Sequence, residues 1–264
     1  MQLKVWRRLL KKEIQILKEN SLNSLNKIST VASIGGGPIG AGWAAHFLAK
    51  GLNVKCYLPS ENEIEDYKSL ITTAWETLEK LGIDKTASLE KMQIFTNLKE
   101  SLTEVDFVQE SIPEILNIKQ DFYSQIDLFL NPSVIIASST SGLLISDIVK
   151  NCNTKDRAIV GHPFNPPYLL PLVEVVASEY TNKLCVDQAV SFYKAVGKVP
   201  IVLKKEIPGF IATRLQEALW REALHMVAND EATPEQIDLA LINGPAPRIC
   251  LLYTSDAADD RICV

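Results

Sequence analysis

The chain has 264 residues, 47% apolar and 22% charged, with 12 glycines and 13 prolines. That composition supports one large or two small packed domains and excludes collagen-like, coiled-coil and disordered chains. No run approaches the ~18 consecutive apolar residues of a membrane-spanning helix, and a net charge of −5 speaks against a nucleic-acid binder.

The charge is unevenly spread. Residues 1–28 carry seven basic side chains against two acidic ones (Glu13 and Glu19), so the remainder is strongly acidic. Leu3, Trp6, Leu10, Ile14 and Leu17 recur at three- and four-residue spacing, which predicts a basic amphipathic helix. Such a helix can lie on a membrane surface or act as a targeting segment, or it can be a solvated extension; the last reading is preferred and no membrane partner is expected.

Residues 30–34 (TVASI) read as a β-strand leading into Gly35-Gly36-Gly37-Pro38-Ile39-Gly40. A helical stretch, AGWAAHFLAKG, follows, and then a second strand, NVKCYL. A strand, GxGxxG and a helix in that order predict a dinucleotide site. Gly35 permits the tight turn, Gly37 admits the pyrophosphate, and Gly40 lets helix and strand pack closely. The carboxylate usually found at the end of the second strand is missing: Leu58 stands there, followed by Pro59, with no acid before Glu61. No Arg or Lys follows closely either, so NAD is favoured over NADP.

Further strands are predicted at 92–96, 105–111, 133–138 and 158–162, with helices around 114–129 and 143–150. Alternation of this kind implies a Rossmann-type, doubly wound, mainly parallel sheet with ligands at the carboxyl ends of its strands. Glu110 to Glu114, Ser138 to Ser141 and Gly161 to Asn165 all fall at such ends.

Three histidines are present. His46 and His225 fall inside helical stretches and read as packing or surface residues, whereas His162 ends a strand in a proline-stiffened GHPFNPP loop. Twelve residues on, LPLVEVV reads as a buried strand holding one carboxylate, Glu174. A lone charge on an apolar strand is costly unless paired, and His162 is its natural partner. Such a pair can work as an oriented general base or serve as a structural hydrogen bond. The five scattered cysteines show no CxxC or Cys/His spacing, which predicts reduced thiols in a cytoplasmic protein and no metal site.

After Pro208-Gly209, residues 208–229 and 233–243 are predicted as helices, the second opened by Thr233-Pro234 as cap and first position. The last 16 residues, ICLLYTSDAADDRICV, show neither helical period nor strand alternation. Native sequence is expected to stop near Arg248, leaving 249–264 as a non-native tail. The expected organisation is a basic extension (1–28), an NAD-binding domain (29–206), a partial helical domain (207–248) and that tail.

Gly35–Gly40, SSTSGL (138–143), GHPFNPP (161–167), PLVEVV (171–176) and PGFIATRLQEALWREALHMV (208–227) together resemble the 3-hydroxyacyl-CoA dehydrogenase superfamily. The resemblance runs unbroken over about 30–248. Within the superfamily the HPFNPPYLLPLVEVV stretch is most similar to the carnitine dehydrogenases, with the gulonate dehydrogenase and lambda-crystallin group as neighbour.

The resemblance implies hydride transfer from the secondary 3-hydroxyl of a small hydroxy acid, L-carnitine foremost, to NAD. It makes His162 the general base, Glu174 its orienting carboxylate and Ser141 a donor to the reacting oxygen. Asn165 becomes a cofactor contact, and Glu114 and Lys119 lie near the nicotinamide ribose. Pro38 and Ile39 join the three glycines as cofactor contacts. Thr213 stands where the family has asparagine, as a shorter catalytic donor that with Ser141 holds the substrate oxygen, and Leu58 is a second departure. An acyl-CoA substrate is disfavoured by Glu61, Glu63, Glu65 and Asp66 in the region where acyl-CoA members carry a longer, basic helical hairpin. Phe164, Tyr168 and Trp220 are candidates to face a trimethylammonium group. Gulonate or acyl-CoA oxidation and a non-catalytic, crystallin-like role are the alternatives, and a homodimer is implied for the full-length protein.

Overall fold

The computed structural model describes residues 28–246. The basic extension, all but its last residue, and the expected tail lie outside the described residues. The chain divides into two compact units between Ile211 and Ala212.

The first unit is an eight-stranded sheet in the order β3-β2-β1-β4-β5-β6-β7-β8. Its strands are β1 (Thr30–Ile34), β2 (Asn53–Tyr57), β3 (Met92–Phe95), β4 (Phe107–Glu110), β5 (Ile135–Ser138), β6 (Ala158–Pro163), β7 (Leu172–Val176) and β8 (Val199–Val202). The helices α1 (Pro38–Ala49), α2 (Ile64–Leu81), α3 (Leu98–Ser101), α4 (Leu116–Ile126), α5 (Ile145–Ile148) and α6 (Lys183–Ala195) connect them. Strands β1 to β6 are mutually parallel, and the order reverses direction about β1, as in a doubly wound fold.

Both faces of the central strands are covered, so β4, β5 and β6 are buried along their length. Successive residues feed opposite cores. Phe107, Ile135 and Ile159 join Trp43 and Phe47 on one face; Val108, Ile136 and Val160 join Phe122, Ile126 and Ile148 on the other. Helix α1 is built from small and apolar residues on every side and is buried from Gly40 to Ala49. Helix α2 is amphipathic, burying Tyr67, Ile71, Ala74, Trp75 and Leu78 at helical spacing. It is one continuous helix of 18 residues rather than a hairpin.

Two features depart from simple alternation. The chain from β6 returns through residues 164–171 and pairs β7 antiparallel to β6, with β8 parallel to β7. Helix α6 and strand β8 complete that edge. Pro200, which cannot donate to a ladder, sits on the edge strand where this is tolerated.

The second unit contains α7 (Ala212–Ala228) and α8 (Pro234–Asn243). Thr233 caps α8 as its sequence indicates: its hydroxyl accepts from Gln236 N at 3.2 Å, and Gln236 Oε1 accepts from Thr233 N at 3.0 Å.

Candidate active site

The glycine turn closes the carboxyl end of β1. Gly35 has φ of +114°, and a Cβ there would lie 2.4 Å from Ser111 O; one on Gly40 would lie 2.1 Å from Gly35 O. Neither position tolerates a side chain. Gly37 differs, because a Cβ added there would meet nothing within 4 Å. The backbone is therefore bare where a phosphate would approach. Gly37 is also the N-cap of α1 with no side-chain cap, and Pro38 opens the helix. An uncapped helix N-terminus behind an open glycine is suited to a pyrophosphate.

Beside this turn, Leu58 is fully buried. Glu63 comes close instead, with its Oε2 2.6 Å from a Cβ built on Gly36.

The carboxyl ends of β4 and β5 form a polar ledge. Glu110, fully buried, accepts from Lys119 Nζ at 2.6 Å, Ile112 N at 2.8 Å and Ser138 Oγ at 2.6 Å. Glu114 is exposed, and its Oε1 accepts from Thr140 Oγ1 at 2.5 Å and Ser141 N at 2.9 Å. Its Oε2 lies 3.6 Å from Lys119 Nζ. Ser141 is exposed at the rim, with its hydroxyl 3.3 Å from Glu114. The resemblance placed Lys119 beside the nicotinamide ribose, but its ammonium is 1% exposed and bonded inside the protein. It anchors the ledge from below, and Glu114 and Ser141 present its surface.

The antiparallel return then produces the decisive pair. Register sets His162 on β6 directly opposite Glu174 on β7. His162 Nδ1 donates to Glu174 Oε2 at 2.8 Å, with both side chains buried. Glu174 Oε1 accepts from Ile211 N at 2.9 Å, which fixes the carboxylate from its other side. Phe164 and Phe210 flank the imidazole, their ring centroids 5.2 and 5.5 Å away. Asn165 is exposed in the following loop.

The other histidines lie elsewhere. His46 is packed inside α1 with Nε2 bonded to Val196 O at 2.8 Å; burial, helped by the Lys198 charge, drives its pKa down to about 3. His225 lies on α7 beside Asn229. Of the aromatic candidates, Phe164 reaches His162, whereas Tyr168 packs against the core near α1. Trp220 and Thr213 belong to α7 in the second unit.

Cys56, Cys152 and Cys185 are free and buried, and burial raises their thiols to about 12, 11 and 12. Among the described residues no group of histidine, cysteine or carboxylate side chains is arranged to hold a metal ion. No helix among them is long and apolar enough to cross a membrane.

Glu110 is the residue that sequence reading undervalued. Its signal is weaker than that of Glu174: a charge closing the buried strand FVQE, whose Gln109 makes it less clearly apolar.

A doubly wound sheet, a bare glycine turn and polar groups gathered at the adjoining strand ends define the NAD-binding domain of an NAD-dependent dehydrogenase. The model of the 3-hydroxyacyl-CoA dehydrogenase NAD binding domain matches residues 30–207, and that of the 3-hydroxyacyl-CoA dehydrogenase C-terminal domain matches 209–263. The chain belongs to the 3-hydroxyacyl-CoA dehydrogenase family.

It is 47% identical to an L-carnitine dehydrogenase of Nocardiopsis dassonvillei over 232 residues, 88% of this chain and 70% of that protein. To an L-carnitine dehydrogenase of Pseudomonas putida it is 42% identical over 230 residues, 87% of this chain and 72% of the relative. Among solved structures, an NAD+-dependent dismutase, 5-formyl-3-hydroxy-2-methylpyridine 4-carboxylic acid 5-dehydrogenase, superposes with a TM-score of 0.80 at 31% identity. That match covers 88% of this chain and 75% of the other. (S)-3-hydroxybutyryl-CoA dehydrogenase from Ralstonia eutropha gives 0.73 at 27% identity, covering 82% and 77%.

Proposed function

We propose that the protein oxidises the secondary 3-hydroxyl of L-carnitine to give 3-dehydrocarnitine, with His162 as general base and Glu174 as its orienting carboxylate. The observation that carries this reading is the buried 2.8 Å bond between His162 Nδ1 and Glu174 Oε2 at the carboxyl edge of the sheet. With Nδ1 held as a donor, Nε2 is the nitrogen that receives the alcohol proton. The fixed charge of Glu174 stabilises the imidazolium that results. Gly35, Gly37, Pro38, Ile39 and Gly40 with Glu114 and Asn165 would hold NAD, which when bound would supply the acceptor for the hydride of the carbinol carbon.

Glu114 positions Ser141 by accepting from its backbone N, and the Ser141 hydroxyl, 3.3 Å from the same carboxylate, turns from it to donate to the reacting oxygen. Phe164 offers an aromatic face beside His162, suited to a quaternary ammonium group. Glu65 and Asp66, in the first turn of α2, would repel the phosphates of an acyl-CoA. A cytoplasmic homodimer completes the reading.

The test is the rate of NAD reduction by the full-length protein with L-carnitine, L-gulonate and 3-hydroxybutyryl-CoA in turn. L-Carnitine is expected to be the preferred alcohol. Turnover of the acyl-CoA or of gulonate without turnover of carnitine would reject the substrate assignment.

A further inference from the structure

In a doubly wound dinucleotide domain the adenosine ribose is recognised at the end of the second strand, where a carboxylate accepts from its hydroxyls. This chain has Leu58 at that place, buried and unable to accept a hydrogen bond. The chain then turns sharply. Ser60 Oγ accepts from Asn62 N at 3.2 Å, and Glu63 N donates to Ser60 O at 3.2 Å, closing a single 3₁₀ turn over Glu61–Glu63.

That turn carries the Glu63 side chain back over the glycine turn. A Cβ on Gly36 would lie 2.6 Å from Glu63 Oε2, 3.1 Å from Leu58 Cδ2 and 3.7 Å from Glu63 Cδ. Glycine at position 36 lets the carboxylate lie against the backbone, and Leu58 floors the same cradle. Glu63 is half-buried, whereas Glu61 is exposed. No donor and no cation among the described residues engages the Glu63 side chain; the ion pair in this segment joins Lys68 to Glu65.

We propose that Glu63 replaces the missing carboxylate at position 58, accepting from the adenosine ribose hydroxyls and selecting NAD over NADP. The proposal rests on the assignment of the glycine turn as the NAD site. A carboxylate can accept from two neighbouring hydroxyls, whereas a 2′-phosphate would set like charges side by side. Gly36, Leu58 and Glu63 thus form one unit: an apolar floor, an open backbone and an acid brought in from the next turn.

The experiment is equilibrium titration of the full chain with NADH and NADPH, followed by dinucleotide fluorescence, for the unaltered protein and for Glu63→Gln, Glu63→Ala and Glu61→Gln. Thermal melts establish that each variant is folded. Loss of a hydrogen bond to a charged group predicts that both Glu63 variants weaken NADH by roughly tenfold or more. NADPH affinity is expected not to fall, so the preference between the two narrows, and Glu61→Gln is expected to match the unaltered protein. NADH binding unchanged in folded Glu63→Gln would overturn the proposal while leaving the NAD site standing. Equal loss of NADH and NADPH would also overturn it, because it would mark general damage to the turn. An unaltered protein that binds neither dinucleotide would remove the cofactor assignment and this proposal together.

Discussion

Glu174→Gln keeps the shape of the buried carboxylate and removes its charge and one of its two acceptor oxygens. Glutamine fills the same volume, so no cavity opens, and its amide oxygen can still accept from Ile211 N, the bond that measures 2.9 Å in the native protein. What it removes is the negative charge bonded to His162 at 2.8 Å; with its single oxygen on Ile211 N, its NH2 faces Nδ1 and favours the tautomer that leaves Nε2 protonated and unable to act as base. A hydrogen bond to a charged group is worth about 1.5–3 kcal/mol. If that interaction is realised when His162 takes the proton, its loss alone should lower kcat by roughly 10- to 150-fold, and the reversed tautomer adds to the loss.

Initial rates of NAD reduction at saturating alcohol and cofactor measure this, and a thermal melt confirms the fold. The double variant with His162→Asn makes the test specific. If Glu174 acts through His162, adding Glu174→Gln to His162→Asn should cost little further activity. A kcat for Glu174→Gln within about twofold of the native value, or a full additional loss in the double variant, would refute the reasoning.

Three further outcomes follow from the geometry. Gly40→Ala would set a methyl group 2.1 Å from Gly35 O, so the turn must shift. NADH binding should be lost and stability should fall by about 1–3 kcal/mol in chemical denaturation; unchanged binding would show that the turn is not the cofactor site. Lys119→Met leaves Glu110 buried without its ammonium partner, and breaking such a pair costs about 3–5 kcal/mol. A denaturation midpoint equal to the native one would contradict that placement.

His46 has its pKa lowered from 6.5 to about 3. As pH falls below 6.5 the unfolded chain takes up a proton there and the folded chain does not, so stability present above 6.5 is lost on the way toward 3. His46→Gln should flatten this loss by on the order of 3 kcal/mol at pH 4. Parallel pH–stability curves for variant and native protein would contradict the burial of a neutral imidazole.

Much of the site is legible in the sequence because its signals are local. The β1 strand, the glycines and α1 announce themselves through turn chemistry that spans only about 20 residues. His162 and Glu174 stand out because a charge on an apolar strand needs a partner, and the partner is only 12 residues away. The geometry that joins them is less legible. Alternating strands and helices suggest parallel pairing, whereas the 164–171 loop is short enough to reverse the chain and bring β7 back antiparallel.

Helix α6 carries its own signal, with Cys185, Ala189, Phe192 and Tyr193 on one face. Strand β8 is harder to read, being four residues long and interrupted by Pro200. The position of Glu63 cannot be reached from spacing alone. Counting residues from the glycine turn singles out position 58, and only the 3₁₀ turn after Ser60 shows that an acid five residues later arrives beside Gly36.

His162 is the group proposed to remove the alcohol proton in an NAD-dependent oxidation. The direct measurement is kcat for L-carnitine oxidation by His162→Asn beside its affinity for NADH, both in the full-length protein. General base catalysis of this kind contributes on the order of 10²- to 10⁴-fold. The variant should therefore lose at least about two orders of magnitude in kcat while binding NADH as the native protein does. A kcat near the native value with binding intact would remove His162 from the chemistry.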